Sequence, residues 1–324
     1  MDLVRNKFEV SIVMSIFGYE KYVEESVESI LRQTFTNIEF IIIDDNCSYD
    51  LYKKIRKFND ERIIYIRNKE NIGLTESLIK GISAARGKYI ARQDAGNISL
   101  VDRIEKQYNY LENNKDYYLI GSSVILIDEC SREICKIIAD TDAGSVRRRL
   151  PENNCIDHST IMFRNTGENI YRAGFRYSQD YDFYLNLLSK GIIFGNMPDI
   201  LLKERLIPDS ITYAKRNEQL VFENLARRFY FERLKYSKDS YDLLDTGEFI
   251  NNPQKSIGEK DNFLFFCRQK AYFLLYSEKP KAVREFIAGV SRKKLDVKLL
   301  LYFVLSYLPF LIKILSRIRK INLK

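Results

Sequence analysis

The run Phe40-Ile-Ile-Ile-Asp-Asp-Asn-Cys-Ser48 limits this chain more than any other stretch. Uninterrupted apolar, β-branched residues read as a strand buried on both faces, which requires helices on both sides of a parallel sheet. The run ends in two acids and then in turn formers, so Asp44 and Asp45 stand at the carboxyl end of that strand. Open α/β sheets bind their ligands in the crevice beyond those ends. One acid is expected to point back into the scaffold and the other at a ligand, although paired acids also simply open turns and cap helices.

The flanking sequence fits such a sheet. Val10-Ser-Ile-Val-Met14 reads as a first strand, with Ser15–Glu20 as its loop. Val23, Val27, Ile30 and Leu31 recur at helical spacing, predicting a helix over 21–33 and a right-handed βαβ unit ending in the strand at Phe40. Arg62-Ile-Ile-Tyr-Ile66 is a third strand, and Leu74, Leu78, Ile79 and Ile82 line a helix that stops at Gly87. Lys88-Tyr-Ile-Ala-Arg92 is a fourth strand, and it too runs out on an acid, Asp94. Ser99 with Asp102 has the look of a capping box for the helix carrying Ile104, Tyr108 and Leu111. This alternation predicts an α/β fold with a doubly wound, mostly parallel sheet flanked by helices. Further strands are expected at 117–128, 134–139, 159–164, 192–197 and 200–205, with helices at 145–150 and 178–190. From about 217 the chain reads as mostly helical. The expected division is an α/β domain over 1–210, whose pattern changes near 115. A C-terminal helical extension over 211–295 and a basic amphipathic tail over 296–324 follow.

Charge and cysteine usage remove several function classes. The net charge of +8 is concentrated between 292 and 324, where nine Lys/Arg face one acid; the remainder is balanced. Binding of nucleic acid by the main body therefore has no electrostatic support. Five irregularly spaced cysteines and a single histidine, His158, complete no zinc site and point to a reduced, cytoplasmic compartment. The first residues hold no apolar stretch long enough for a signal peptide. The loop after the first strand, Ser15-Ile-Phe-Gly-Tyr-Glu20, has one glycine, against the dinucleotide fingerprint. Neither a G-x-x-x-x-G-K-S/T phosphate loop nor a G-x-S-x-G elbow occurs.

What remains is a set of carboxylates at strand and helix ends: Asp45, Asp94 and Asp180. Around them stand Val10-Ser-Ile-Val-Met-Ser-Ile-Phe17, Glu25-Ser-Val-Glu-Ser-Ile-Leu-Arg-Gln-Thr34 and Ile42-Ile-Asp-Asp-Asn-Cys-Ser48. Asn71-Ile-Gly73, Ala85-Arg-Gly-Lys-Tyr-Ile-Ala91, Asp102-Arg-Ile-Glu-Lys-Gln107 and Gln179-Asp-Tyr-Asp182 follow in order. With these motifs the chain resembles the family 2 glycosyltransferases, which have the GT-A fold, over about 8–205. The resemblance implies that Ser15 and the ring of Phe17 hold a nucleotide base, that Asp45 accepts from a base N–H, and that Gly73 flanks the ribose or base. It places Asp94 at the ribose and metal end of a diphosphate. Asp180 matches the family's general base, which takes a proton from an acceptor hydroxyl as that oxygen attacks the anomeric carbon with inversion; such positioned transfer is worth ~10²–10⁴ in rate. The implied donor is a UDP- or dTDP-linked sugar, and the implied cofactor Mg²⁺ or Mn²⁺.

One departure bears on the metal. The family's D-A-D-D or D-A-G-D motif reads Asp94-Ala-Gly-Asn97 here, so Gly96 replaces the usual second ligand. Three outcomes are open: a cation held mainly by the diphosphate and Asp94, charge stabilisation by a basic residue such as Arg92, Arg172 or Arg176, or a catalytically weak homologue acting as a nucleotide-binding scaffold. The first is favoured. A nucleotidyltransferase of related topology lacks its Gly-rich, basic first loop here. His158 matches a family histidine near the acceptor side and is expected to contact donor or acceptor, or to bond within its loop. In the tail, the apolar run Leu299–Ile312 is too short to span a bilayer. Beyond Pro309, apolar Ile314, Leu315 and Ile318 and basic Lys313, Arg317 and Lys320 fall on opposite faces of one helix. That pattern fits peripheral contact with the inner face of the cell membrane, or packing on the catalytic domain. The reading is an inverting hexosyltransferase acting on a saccharide or lipid-linked glycan in cell-surface polysaccharide assembly.

Overall fold

The computed structural model describes residues 8–208, 210, 214–243, 262–277, 279–290, 295–308 and 311. The chain divides into two compact units, Met1–Val124 with Ile137–Glu204 and Leu220–Pro253, and Ile125–Lys136 with Arg205–Gln219 and Gln254–Lys324.

The first unit is built on the strand at Phe40. Strands β1 (Phe8–Ile16), β2 (Ile38–Asp44), β3 (Ile63–Arg67) and β4 (Gly87–Arg92) alternate with helices α1 (Val23–Leu31), α2 (Leu51–Ile55) and α3 (Leu74–Ser83). They pair in parallel in the order β3-β2-β1-β4. All of β2 is buried, as its composition requires. Phe40 and Ile42 face one core with Val23, Val27 and Ile30 of α1, while Ile41 and Ile43 face another with Leu78 and Ile82 of α3. Full burial of such a side chain is worth about 1.5–3 kcal/mol, so both helical layers hold this strand.

Beyond β4 the chain adds β5 (Ile98–Ser99), α4 (Arg103–Asn113), β6 (Tyr117–Ile127), β7 (Glu133–Ile137), α5 (Ala143–Arg149), β8 (Met162–Arg164), α6 (Gln179–Ser189), β9 (Ile193–Arg205) and α7 (Arg216–Tyr236). β8 runs antiparallel between β4 and β6, and β9 joins β6 to β5, giving the order β3-β2-β1-β4-β8-β6-β9-β5 with β7 on β6. The expected α/β fold with a doubly wound sheet flanked by helices is present, parallel over β3-β2-β1-β4 and antiparallel where β8 pairs with β4 and β6 and where β5 pairs with β9.

Three local expectations fail for physical reasons. Asp102 caps α4 by position but its side chain pairs with Lys106, and the Ser99 hydroxyl donates to Gln93 instead of closing a capping box. The segment 159–164 begins as a tight helical turn, His158–Thr160, because Asp157 accepts from the Ser159 N–H at 2.9 Å; only Met162–Arg164 is strand. Strands predicted at 192–197 and 200–205 are one strand, since Pro198 stays within it and its carbonyl accepts from Ser123 at 3.0 Å.

In the second unit, helices α8 (Asn262–Tyr276), α9 (Pro280–Gly289) and α10 (Val297–Leu305) pack together around Cys267, Leu275, Val283 and Leu299. The amphipathic helix expected after Pro309 lies, apart from Leu311, outside the described residues. No helix among the described residues is long and apolar enough to cross a membrane.

Candidate active site

The four parallel strands deliver their carboxyl ends to one rim. Ser15 is the penultimate residue of β1, and Phe17 follows the strand and is 58% exposed. The Asp45 N–H donates to the Ile16 carbonyl at 2.9 Å, so Asp45 lies beside that turn. Two strand spacings separate Asp45 from Asp94, roughly 10 Å.

Neither acid of the pair is idle. Asp44 accepts from the Cys47 N–H at 2.8 Å and from the Tyr65 hydroxyl, and it faces Arg67 at 3.5 Å. Asp45 accepts four bonds at 2.9 Å, from Asn68, Asn71 and the N–H groups of Ile72 and Gly73. It therefore shapes the segment that leads into α3. Gly73 makes the entry with φ +88°, a conformation other L-residues adopt only under strain.

Asp94 keeps an open position. Arg92, fully buried, donates to the Val13 carbonyl at 2.8 Å and to one Asp94 oxygen. The next turn is fixed by the serine face of α1, where the Gly96 N–H donates to Ser26 at 2.9 Å and the Ser99 N–H to Ser29 at 3.1 Å. Gly96 sits at φ +94°, and a Cβ there would stand 3.0 Å from the Tyr19 ring. The missing acid is thus a matter of backbone and space: no aspartate fits this turn without strain.

Asp180 lies in the first turn of α6 and accepts from Asn154 at 2.8 Å. Burial pushes its carboxyl up to about 6, against the Tyr181 N–H and Asn154, which favour the charged form; the charge of Asp94 adds to the rise. The two acids therefore share one electrostatic environment. Around them, His158 meets the Tyr171 hydroxyl at 2.6 Å and is held neutral, its basicity depressed by burial and by Arg92. Burial and the charge of Asp157 push Glu204 far up, and burial raises Asp157 as well. The register Ile98↔Lys203 puts Glu204 opposite Asn97. Tyr184, fully buried beside Asp180 and Asp157, has a hydroxyl without a hydrogen-bond partner.

A rim with an exposed aromatic ring at one end and an ionisable, half-enclosed acid at the other suits a nucleotide-linked substrate. The glycosyl transferase family 2 model matches residues 11–165. An uncharacterised glycosyltransferase of Methanocaldococcus jannaschii is 35% identical over 64% of this chain and 73% of its own length. The chain belongs to glycosyl transferase family 2. The O-antigen biosynthesis glycosyltransferase WbnJ of Escherichia coli is 31% identical over 61% of this chain and 79% of its own. The UDP-Glc:alpha-D-GlcNAc-diphosphoundecaprenol beta-1,3-glucosyltransferase WfaP of Escherichia coli is 29% identical over 67% and 85%. Among solved structures, S. aureus TarS 1-349 in complex with UDP-GlcNAc superposes with TM-score 0.51 at 10% identity, covering 93% of this chain and 91% of that one. The fold is that of the GT-A glycosyltransferases.

Within this glycosyltransferase, the structure brings Ser15, Phe17, Asp45 and Gly73 to one stretch of the rim, and Asp94, His158 and Asp180 to the next. Arg172 is committed elsewhere: it pairs with Asp182 and with Asp239 at 2.9 Å and stacks on Phe229 and Tyr241. Asn154, Asp157, Tyr171, Tyr184 and Glu204 are site residues that sequence reasoning missed. No motif spacing links them. No three His, Cys, Asp or Glu among the described residues are grouped to hold a metal on their own. Mg²⁺ is usually carried by one or two carboxylates together with substrate phosphates, so the free oxygen of Asp94 fits a cation that arrives on a diphosphate.

Proposed function

We propose that this family 2 enzyme is an inverting hexosyltransferase that moves a sugar from a UDP- or dTDP-linked donor to a saccharide or lipid-linked glycan in cell-surface polysaccharide assembly. The observation that carries the reading is Asp180, a half-enclosed carboxyl with a pKa of about 6 that senses Asp94 across the rim. A base with that pKa is ionised at neutral pH and still a competent proton acceptor.

Phe17 and Ser15 bind the base, and Asp45 contributes there through the Asn71–Gly73 segment it holds. Asp94 stands at the diphosphate. Asp180 takes the proton of an acceptor hydroxyl while that oxygen bonds to the anomeric carbon. The bond from that carbon to the phosphate oxygen breaks, and its electron pair leaves with the nucleoside diphosphate. Attack opposite the leaving group inverts the anomeric centre. Asp94 would be the protein ligand for a divalent cation, Mg²⁺ or Mn²⁺, arriving on the diphosphate, and that cation would supply neutralisation of the leaving group's charge. The lipid-linked acceptor is supported by the diphosphoundecaprenol substrate in the name of WfaP. We place the enzyme accordingly as a peripheral protein at the cytoplasmic face of a membrane.

The test is a thermal-shift titration with UDP and dTDP, with and without Mn²⁺, followed by hydrolysis of a panel of nucleotide sugars. Stabilisation that grows with Mn²⁺ and hydrolysis of one donor are expected. Metal-independent binding with every donor left intact would replace the proposal by the nucleotide-binding scaffold that Gly96 and Asn97 suggest.

A further inference from the structure

Apart from Lys298, helix α10 carries only apolar and aromatic side chains. Leu299 is fully buried against the other helices of its unit, and Ser306 closes the inner face. Its outer face is apolar too. Val297, Leu300, Leu301, Val304, Tyr307, Leu308 and Leu311 are 42–81% exposed, seven of the seventeen large apolar side chains exposed among the described residues. Steps of three and four place Val297, Leu300, Leu301 and Val304 along one stripe of the helix, and Tyr307 and Leu308 follow its C-terminal end. The stripe is held in a fixed pose. Asp296 caps α10 by accepting from the Leu299 N–H at 3.0 Å and pairs with Arg268, while Arg284 donates to the Ser306 carbonyl at 2.7 Å and covers the Tyr307 ring. An apolar face of this extent on a soluble surface marks a contact.

Charge selects the occupant. Residues 292–324 carry nine Lys/Arg and one acid. Two copies meeting on this face would bring both positive excesses together, whereas an anionic bilayer attracts each of them. We infer that this apolar face, Val297 to Leu308, docks on an anionic membrane, entering the head-group boundary while the positive excess of 292–324 draws the segment to lipid phosphates. The inference deepens the proposed use of a lipid-linked acceptor, because it names the surface that holds the enzyme where such an acceptor lies.

The test is sedimentation of the full chain with vesicles of phosphatidylcholine, alone or with phosphatidylglycerol. Binding to the anionic vesicles that weakens in high salt is expected. The triple variant Leu300→Ser, Leu301→Ser, Val304→Ser should lower that partition about tenfold or more, given the apolar area it removes. The milder Val297→Gln, Val304→Gln variant should show a smaller loss, and both should keep the UDP-dependent rise in Tm. Unchanged partition of both variants, or no binding of the parent to anionic vesicles, overturns the inference. So does light scattering that shows a dimer which the triple variant dissolves, since the stripe is then a self-association face. Failure to turn over any nucleotide sugar would instead sink the enzymatic reading and leave the vesicle result standing.

Discussion

Asp180→Asn should give a protein that is inactive and more stable than its parent. The carboxyl rises from 3.8 to about 6 because burial opposes its charge. Converted at 1.36 kcal/mol per pKa unit, that shift corresponds to about 3 kcal/mol, and partial solvent contact reduces it to about 1–2 kcal/mol. The sign follows from proton binding. The folded protein holds the proton more tightly than the unfolded chain, so the cost is absent below pH 3.8, grows as the pH rises toward 6 and is complete above it. Asparagine keeps an acceptor for Asn154 and carries no charge, so at pH 7.5 Tm should rise by about 2–6 °C for a unit of this size. That advantage should fade as the pH is lowered toward 4. Transfer should fall ~10²–10⁴-fold, with the parent's rate rising through pH 6 to a plateau, and UDP affinity should stay within about twofold. Differential scanning fluorimetry across pH and a UDP-release assay measure both arms. A variant that is less stable than the parent at pH 7.5, or that retains turnover, would refute the assignment of Asp180 as an ionised, half-enclosed base.

Phe17→Ala should weaken UDP about fivefold or more in a calorimetric titration without moving Tm, because the ring is exposed and loses only base stacking. An unchanged affinity would remove Phe17 from the base site. Asn154→Ala takes a hydrogen bond from the charged form of Asp180, so the midpoint of the pH–rate profile should move up while UDP binding holds. A midpoint that stays in place would show that Asn154 is only a loop residue. Gly96→Asp restores the acid of the usual metal motif but meets φ +94° and the Tyr19 ring, so it should lower Tm by several degrees and leave the Mn²⁺ dependence of UDP binding no stronger. A gain in Mn²⁺-dependent affinity at parental stability would show that the turn can accommodate a second ligand.

The sequence by itself determined the parallel half of the sheet and its ligand-binding rim. A wholly apolar β2 can be satisfied only between two helical layers, and the acids at 45 and 94 must then lie beyond the strand ends. Local periodicity is enough for that, because helix and strand repeats depend on neighbours three or two residues away. The tertiary structure alone decided what each acid does with its charge. Asp45 and Gly73 are adjacent only because β2 and β3 pair in register, and Glu204 meets the Asp94–Asn97 turn only because β9 folds back on β5. Burial, which lifts Asp180 and neutralises His158, is a property of what surrounds a side chain from distant parts of the chain. Hydrogen-bond partners and desolvation act over a few ångströms of space, and spacing along the chain carries no record of them.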